Sequence, residues 1–187
     1  PPFTPGYMPT FHPQFGDPTT TLDNSICQFE SAAMVLAWQT RGAVDVWGGE
    51  LIPWCGKTEA EINGHGAPLE NMQLAWQHWS QFLSIRTGQT FNDLLIALTE
   101  GRAVVLDGDY GVLPSAETCS GFSGNHGIAV FPYQVGDRLL VGDPLCTDFK
   151  GIRLSSLQAY AEALGAAILG VSSPQQIMFA VSGPWVP

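Results

Sequence analysis

At 187 residues the chain can form one domain with a real core, and an apolar share of 45% excludes a disordered chain. Only 13% of residues are charged and the formal charge is −10, which excludes nucleic acid and an anionic membrane surface as partners. No apolar run reaches the length of a membrane span, so no membrane insertion is expected.

Residues 1–22 hold Pro1, Pro2, Pro5, Pro9, Pro13 and Pro18 among several aromatics. Proline at that density forbids helix and favours an extended arm. Such an arm lies on the domain or on a neighbouring chain, so a protein partner through residues 1–22 is one expectation. The start, Pro1-Pro2-Phe3-Thr4, lacks the basic and apolar regions of a signal peptide. The domain itself is expected over 23–187.

From Cys27 to about Thr40, Phe29, Ala33, Leu36 and Ala37 share a face at helical spacing, and Gly42 follows as a stop. Residues 43–57 read as a Trp- and Gly-rich loop. Thr58-x-x-Glu61 is a capping box for a short helix ending by Gly64. Pro68 suits a first helical turn, with Leu69, Met72, Trp76, Trp79 and Leu83 repeating at three and four. Another helix runs from Thr90 to Gly101. The pattern then changes to short β-branched runs at 103–106, 127–133, 138–142 and 177–181, interrupted by one helix over 155–164. Gly136-Asp137 reads as a hairpin turn. Helices first and an antiparallel sheet afterwards give an α+β class.

Three residues stand where they can carry chemistry. Cys27 lies where a polar loop turns into a helix, whose first-turn N–H groups and partial positive charge favour a thiolate and can hold an oxyanion. A buried structural cysteine is the alternative use of such a residue. His126 begins a strand after Ser123-Gly124-Asn125, and Asp143 ends the next strand. A hairpin brings its far ends together, so Asp143 falls near His126 and can orient its ring. Cysteine, distant histidine and then aspartate is the order of a papain-type cysteine hydrolase.

Cys27-Gln28-Phe29-Glu30-Ser31-Ala32-Ala33-Met34-Val35-Leu36, His126-Gly127-Ile128-Ala129-Val130 and Gly142-Asp143-Pro144 resemble the Cys, His and Asp-Pro motifs of peptidase C39-like domains. The stretch Phe91–Gly108 resembles the lead-in to the sheet of those domains, and the likeness spans about residues 20–165. It implies a papain-like fold, N-terminal helices packed on an antiparallel sheet, and a cysteine hydrolase with Cys27 as nucleophile, His126 as base and Asp143 as orienter. Family members usually have Gly-Pro after the cysteine, where this chain has Gln28-Phe29, and a Gln upstream that helps form the oxyanion hole. Here Asn24 is the near candidate beside the Cys27 N–H, and Gln14 lies inside the proline-rich arm.

The remaining signals point less sharply. Asp107-Gly108-Asp109-Tyr110-Gly111 fails the calcium-loop pattern and reads as an acidic turn. His12, His65 and His78 have no partners at metal-ligand spacing and read as surface or cap residues, so neither metal nor cofactor is expected. Cys119 and Cys146 flank the two site-bearing strands and would pair in an extracellular or virion setting but stay reduced in cytosol. Trp47 and Trp54 are core or line a substrate groove. The expected reaction is amide hydrolysis through a thioester, on polypeptide or on peptidoglycan stem peptides, with a phage-associated lytic peptidase as the analogy-led choice. An inactive papain-fold binding module, such as a virion component, is the alternative. A transglutaminase-like acyltransferase shares the order of the three residues.

Overall fold

The computed structural model describes residues 7–163 and 167–171. Its first helix, α1 (Cys27–Thr40), opens at the cysteine itself and ends at Arg41, whose φ of 54° turns the chain so that Gly42 N–H closes on the Ala37 carbonyl at 2.9 Å. Every residue from Phe29 to Trp38 is buried. A helix covered on all sides belongs in the middle of a domain, whereas the sequence pattern indicated one buried face.

α2 (Glu59–Ile62) begins with the Thr58–Glu61 capping box, as the sequence indicates. α3 (Leu69–Trp76) is shorter than its periodicity. The chain tightens into a 3-10 turn over Gln77–Trp79 and leaves through Ser80 at φ 56°, so Leu83 is buried outside the helix. There follow β1 (Ser84–Gln89) and α4 (Phe91–Thr99), the latter capped reciprocally by Thr90 and Asp93. Next come β2 (Val104–Asp109), β3 (Asn125–Val135), β4 (Arg138–Gly142), β5 (Lys150–Arg153), α5 (Leu154–Glu162) and β6 (Ala167–Val171). The loop over 43–57 contains a 3-10 helix, Gly48–Trp54.

The six strands form one antiparallel sheet in the order β1-β6-β2-β3-β4-β5. Three strands carried too little signal to be foreseen. β1 and β5 are the edges, short and mostly polar, where one face has little to bury. β6 follows a helix so closely that its apolar run merges with it; the strand predicted at 177–181 lies outside the described residues.

Side chains alternate across the sheet and divide the core in two. Val105, Ala129, Phe131 and Tyr133 pack with α1, α3 and the 48–54 segment. Leu106, Ile128, Val130 and Val141 pack on the other face with α4 and α5. The result is an α+β domain of three layers with a central sheet. Among the described residues no helix is long and apolar enough to cross a membrane.

The arm from Tyr7 onward lies on this same chain. Phe11 meets Phe149 edge-on at 5.1 Å, Phe149 meets Phe131 at 5.6 Å, and the Tyr133 hydroxyl donates to the Tyr7 carbonyl at 3.0 Å. Phe11 therefore packs against the core instead of standing free.

Candidate active site

The β3–β4 hairpin turns at Gly136, in the left-handed region at φ 61°, and pairs Val135 with Arg138. An irregularity between Val130 and Gln134 then shifts the register, so that Gly142 pairs with Ala129. Asp143 thus falls opposite Ile128, two residues from His126 and on the same face. The side chains meet: His126 Nε2 lies 2.8 Å from Asp143 Oδ1, with His126 3% exposed and Asp143 fully buried. Across the cleft, Cys27 at the start of α1 lines the same cavity as His126, near enough for its sulfur to favour the charged imidazole. The three predicted residues come together.

Their charges follow from that contact. Burial works against a charged His126, but the Asp143 hydrogen bond and charge, with Cys27 close by, outweigh it and push His126 up to about 9. Burial likewise opposes a charged Asp143, and the His126, Tyr110 and Leu145 donors overcome it, holding the carboxyl below its ordinary value. Asp143 Oδ2 accepts from the Tyr110 hydroxyl at 2.7 Å, and Oδ1 accepts from Leu145 N–H at 3.0 Å. Burial and the neighbouring Asp143 charge raise Tyr110, so its phenol stays protonated and donates. The His126 carbonyl accepts from the Tyr160 hydroxyl on α5, and the Gly127 carbonyl from Ser31 of α1 at 2.9 Å. His126 is therefore fixed by backbone and ring.

A disulfide between Cys119 and Cys146, with Cα atoms 5.1 Å apart, braces this cluster. Cys119 N–H donates to the Tyr110 hydroxyl at 2.9 Å, and Cys146 Sγ, which has no proton to donate, touches Asp143 Oδ2 at 3.3 Å. Cys119, Asp143 and Cys146 could otherwise group as metal ligands. With the sulfurs bonded to each other and the carboxylate occupied by hydrogen bonds, they do not fit an ion.

Cys27 sits between two cavities. One, of about 480 Å³, is lined by Gln14, Phe15, Ser120, Phe122, His126 and Leu145; the other, of about 460 Å³, by Ser25, Gln28, His65, Gly66, Pro68 and Asp107. Asn24, Cys27, Phe122 and Asn125 line both, making one groove that runs past the sulfur. Asn24 reaches the groove but is exposed, whereas Gln14 is 5% exposed with its Oε1 buried and meeting no donor among the described residues. Gln14 N–H also donates to the Pro144 carbonyl at 2.9 Å, tying the arm to the Asp143 loop. Gln14, thirteen residues before the cysteine, thus reaches the groove from the arm, alongside Asn24, to which proximity in sequence pointed.

Neither Trp47 nor Trp54 lines these cavities. Trp47 stacks on His12 at 4.8 Å and Trp54 on His78 at 3.6 Å, so both are occupied by imidazoles elsewhere. The aromatics at the groove are Phe15 and Phe122, 50% and 46% exposed. His12, read as a surface or cap residue, is 2% exposed because the arm that carries it folds onto the domain and stacks it on Trp47. The segment read as an acidic turn is strand β2 running into a 3-10 turn. It delivers Tyr110 to Asp143 and Asp107 to the groove, where Gln28 donates to Asp107 and burial pushes its carboxyl up to about 6.

Solved structures share this fold. An inferred C39-like peptidase from Bacillus anthracis superposes with a TM-score of 0.62 at 16% identity, covering 89% of this chain and 96% of its own. The peptidase domain of Streptococcus ComA, a bifunctional ABC transporter involved in quorum sensing, gives 0.53 at 14% identity, covering 90% and 99%. No curated protein sequence matches. The model of the Peptidase C39 like family matches residues 11–164, most of the chain and with all three residues of the site inside it. The chain belongs to the Peptidase C39 like family.

Proposed function

We propose that the protein is a cysteine peptidase that cleaves an amide through a thioester on Cys27. The observation that carries this is the hydrogen-bonded line from His126 through Asp143 to Tyr110, with Cys27 beside His126 on an open groove. The Cys27 thiolate attacks the scissile carbonyl carbon, and the carbonyl oxygen takes up the displaced electron pair. Cys27 N–H, at the free N-terminus of α1, and the Gln14 side-chain amide hold that oxyanion. The His126 imidazolium gives its proton to the departing amine, leaving a thioester. Neutral His126 then takes a proton from water, hydroxide adds to the thioester, and the acid product leaves with the thiolate restored.

The groove continues on both sides of Cys27, which suits a peptide chain crossing the sulfur over a small amide; polypeptide and peptidoglycan stem peptides both have that form. The disulfide favours an oxidising setting outside the cytosol. The test is incubation with an unfolded polypeptide and with a stem-peptide digest, followed by mass spectrometry of new termini. Wild type is expected to cleave one of them and Cys27→Ala neither. A folded wild type that cleaves neither, and forms no adduct with an electrophilic peptide, would point to a binding module instead.

Gln14→Ala is expected to lower kcat by about 10²-fold, the usual cost of one oxyanion donor, with little change in KM. Asn24→Ala is expected to leave kcat within about threefold, because Asn24 is exposed at the rim. The reverse order of effects would return the oxyanion role to Asn24.

A further inference from the structure

The arm that carries Gln14 is fastened to α1 by two acids. Glu30, three residues after Cys27, is fully buried, and Asp17 is 4% exposed. Two consecutive backbone amides hold them side by side: Gly48 N–H donates to Glu30 Oε2 at 2.9 Å and Gly49 N–H to Asp17 Oδ2 at 2.7 Å. Asp17 Oδ1 accepts from Thr19 N–H at 2.7 Å and from the Thr19 hydroxyl at 2.6 Å. Glu30 Oε1 is buried and accepts from no donor. Two carboxylates cannot share such a space unless one carries a proton, and the oxygen without a donor is the one left to carry it.

The packing leaves no slack. A Cβ at Gly48 would lie 2.7 Å from the Glu30 backbone N, and one at Gly49 would lie 2.3 Å from Thr19 Oγ1. On the near side of Gln14, His12 stacks on Trp47, with Nδ1 3.8 Å from Glu30 Oε2 and Nε2 3.5 Å from Asp45. Gln14 is thus held between two anchor points, His12 and Asp17, that converge on Glu30.

We propose that Glu30 is a positioning residue for the oxyanion hole: as a neutral acid donating to the Asp17 carboxylate, it clasps residues 12–19 to the nucleophile's helix and keeps the Gln14 amide in the groove. This rests on the role given to Gln14 above. Burial first, and then the hydrogen bond and charge of Asp17, push Glu30 from its ordinary 4.5 up to about 9, while its donated hydrogen bond helps hold Asp17 below the usual carboxylate range. The groups facing the pair are His12 from the arm and, across the 45–50 segment, Asp45 and Glu50; burial keeps His12 below its ordinary value against the pull of those acids.

The sign of the pH dependence follows. A raised Glu30 stabilises the clasp fully below about 4.5, and that contribution is lost as pH rises towards about 9. Asp17, lowered, contributes in the opposite sense below its ordinary 3.8, so the pair holds one proton between those limits.

Glu30→Gln imitates the neutral acid, since its amide donates to Asp17 and its carbonyl accepts from Gly48; Glu30→Ala removes the clasp. The full chain of each is compared by thermal unfolding at about pH 5 and about pH 8, by hydrogen exchange at Gly48 and Gly49, and by kcat and KM. Glu30→Gln is expected to match wild type near pH 5, unfold several degrees higher near pH 8, and keep kcat within about threefold. Glu30→Ala is expected to lose protection at both glycine amides and to lower kcat about as much as Gln14→Ala, with no further loss when the two are combined. A Glu30→Gln protein that is less stable than wild type near pH 8, or a Glu30→Ala protein with wild-type exchange and kcat, would overturn the proposal. Unfolding and exchange report on the clasp even if wild type cleaves no peptide, so failure of the peptidase reading is distinguishable from failure of this one.

Discussion

Asp143→Ala is expected to lower amide cleavage by about 10³- to 10⁴-fold, the scale on which an orienting carboxylate acts in a nucleophile–histidine pair. The size follows from what surrounds His126. The ring is 3% exposed, so without Asp143 burial becomes the main influence and drives it towards the neutral form. The Tyr110 hydroxyl would then have lost its acceptor as well, leaving a buried O–H without one. In wild type the raised His126 contributes stability that is fully present below its ordinary 6.5 and is lost as pH rises through about 9. The alkaline limb of the cleavage profile should therefore lie near pH 9, and in Asp143→Ala it should move to lower pH. Activity within tenfold of wild type, with the limb unmoved, would remove Asp143 from the mechanism.

Reduction of the Cys119–Cys146 disulfide is expected to cost the largest single share of stability. The bridge closes a loop of sequence separation 27, for which chain entropy predicts about 3–4 kcal/mol. For a domain of this size that corresponds to a fall in Tm on the order of 10 °C. Activity should fall too, because both ends of the bridge touch the groups around Asp143: Cys119 N–H holds Tyr110, and Cys146 N–H donates to the Asp143 carbonyl at 2.9 Å. Thermal scans with and without dithiothreitol, and of the Cys119→Ser/Cys146→Ser double variant, measure it. An unchanged Tm in both would show that the surrounding packing already holds the loop, notably Glu117 with Arg138 and Arg153.

Much of this was legible in the residues. The helix starting at Cys27, the Thr58–Glu61 capping box and the Gly136-Asp137 turn are written in local chemistry, and the hairpin carries His126 to Asp143. What stayed hidden is long-range. Gln14 lies in a segment whose prolines report only that it is extended, not where it goes, and its docking depends on contacts with Pro144, Trp47 and Glu30 far along the chain. Trp47 and Trp54, in a Gly-rich loop, suit either the core or a substrate groove by sequence; the histidines that stack on them come from the arm and from the 77–79 turn, far off in the chain. The edge strands β1 and β5 bury too few side chains to leave a pattern. Glu30 gives no signal of its burial, since a glutamate in a first turn ordinarily faces water and complements the helix dipole.

The central claim is that His126 activates Cys27, and iodoacetamide alkylation at about pH 6, resolved by mass spectrometry, tests it most directly. Cys55, fully buried and with its thiol pushed up by that burial, is the internal control. Rapid labelling of Cys27 in wild type, at least tenfold slower in His126→Ala and negligible at Cys55 in both, is the predicted result. Equal labelling of Cys27 in the two proteins would contradict it, and the site would then be a cysteine and a histidine that merely adjoin.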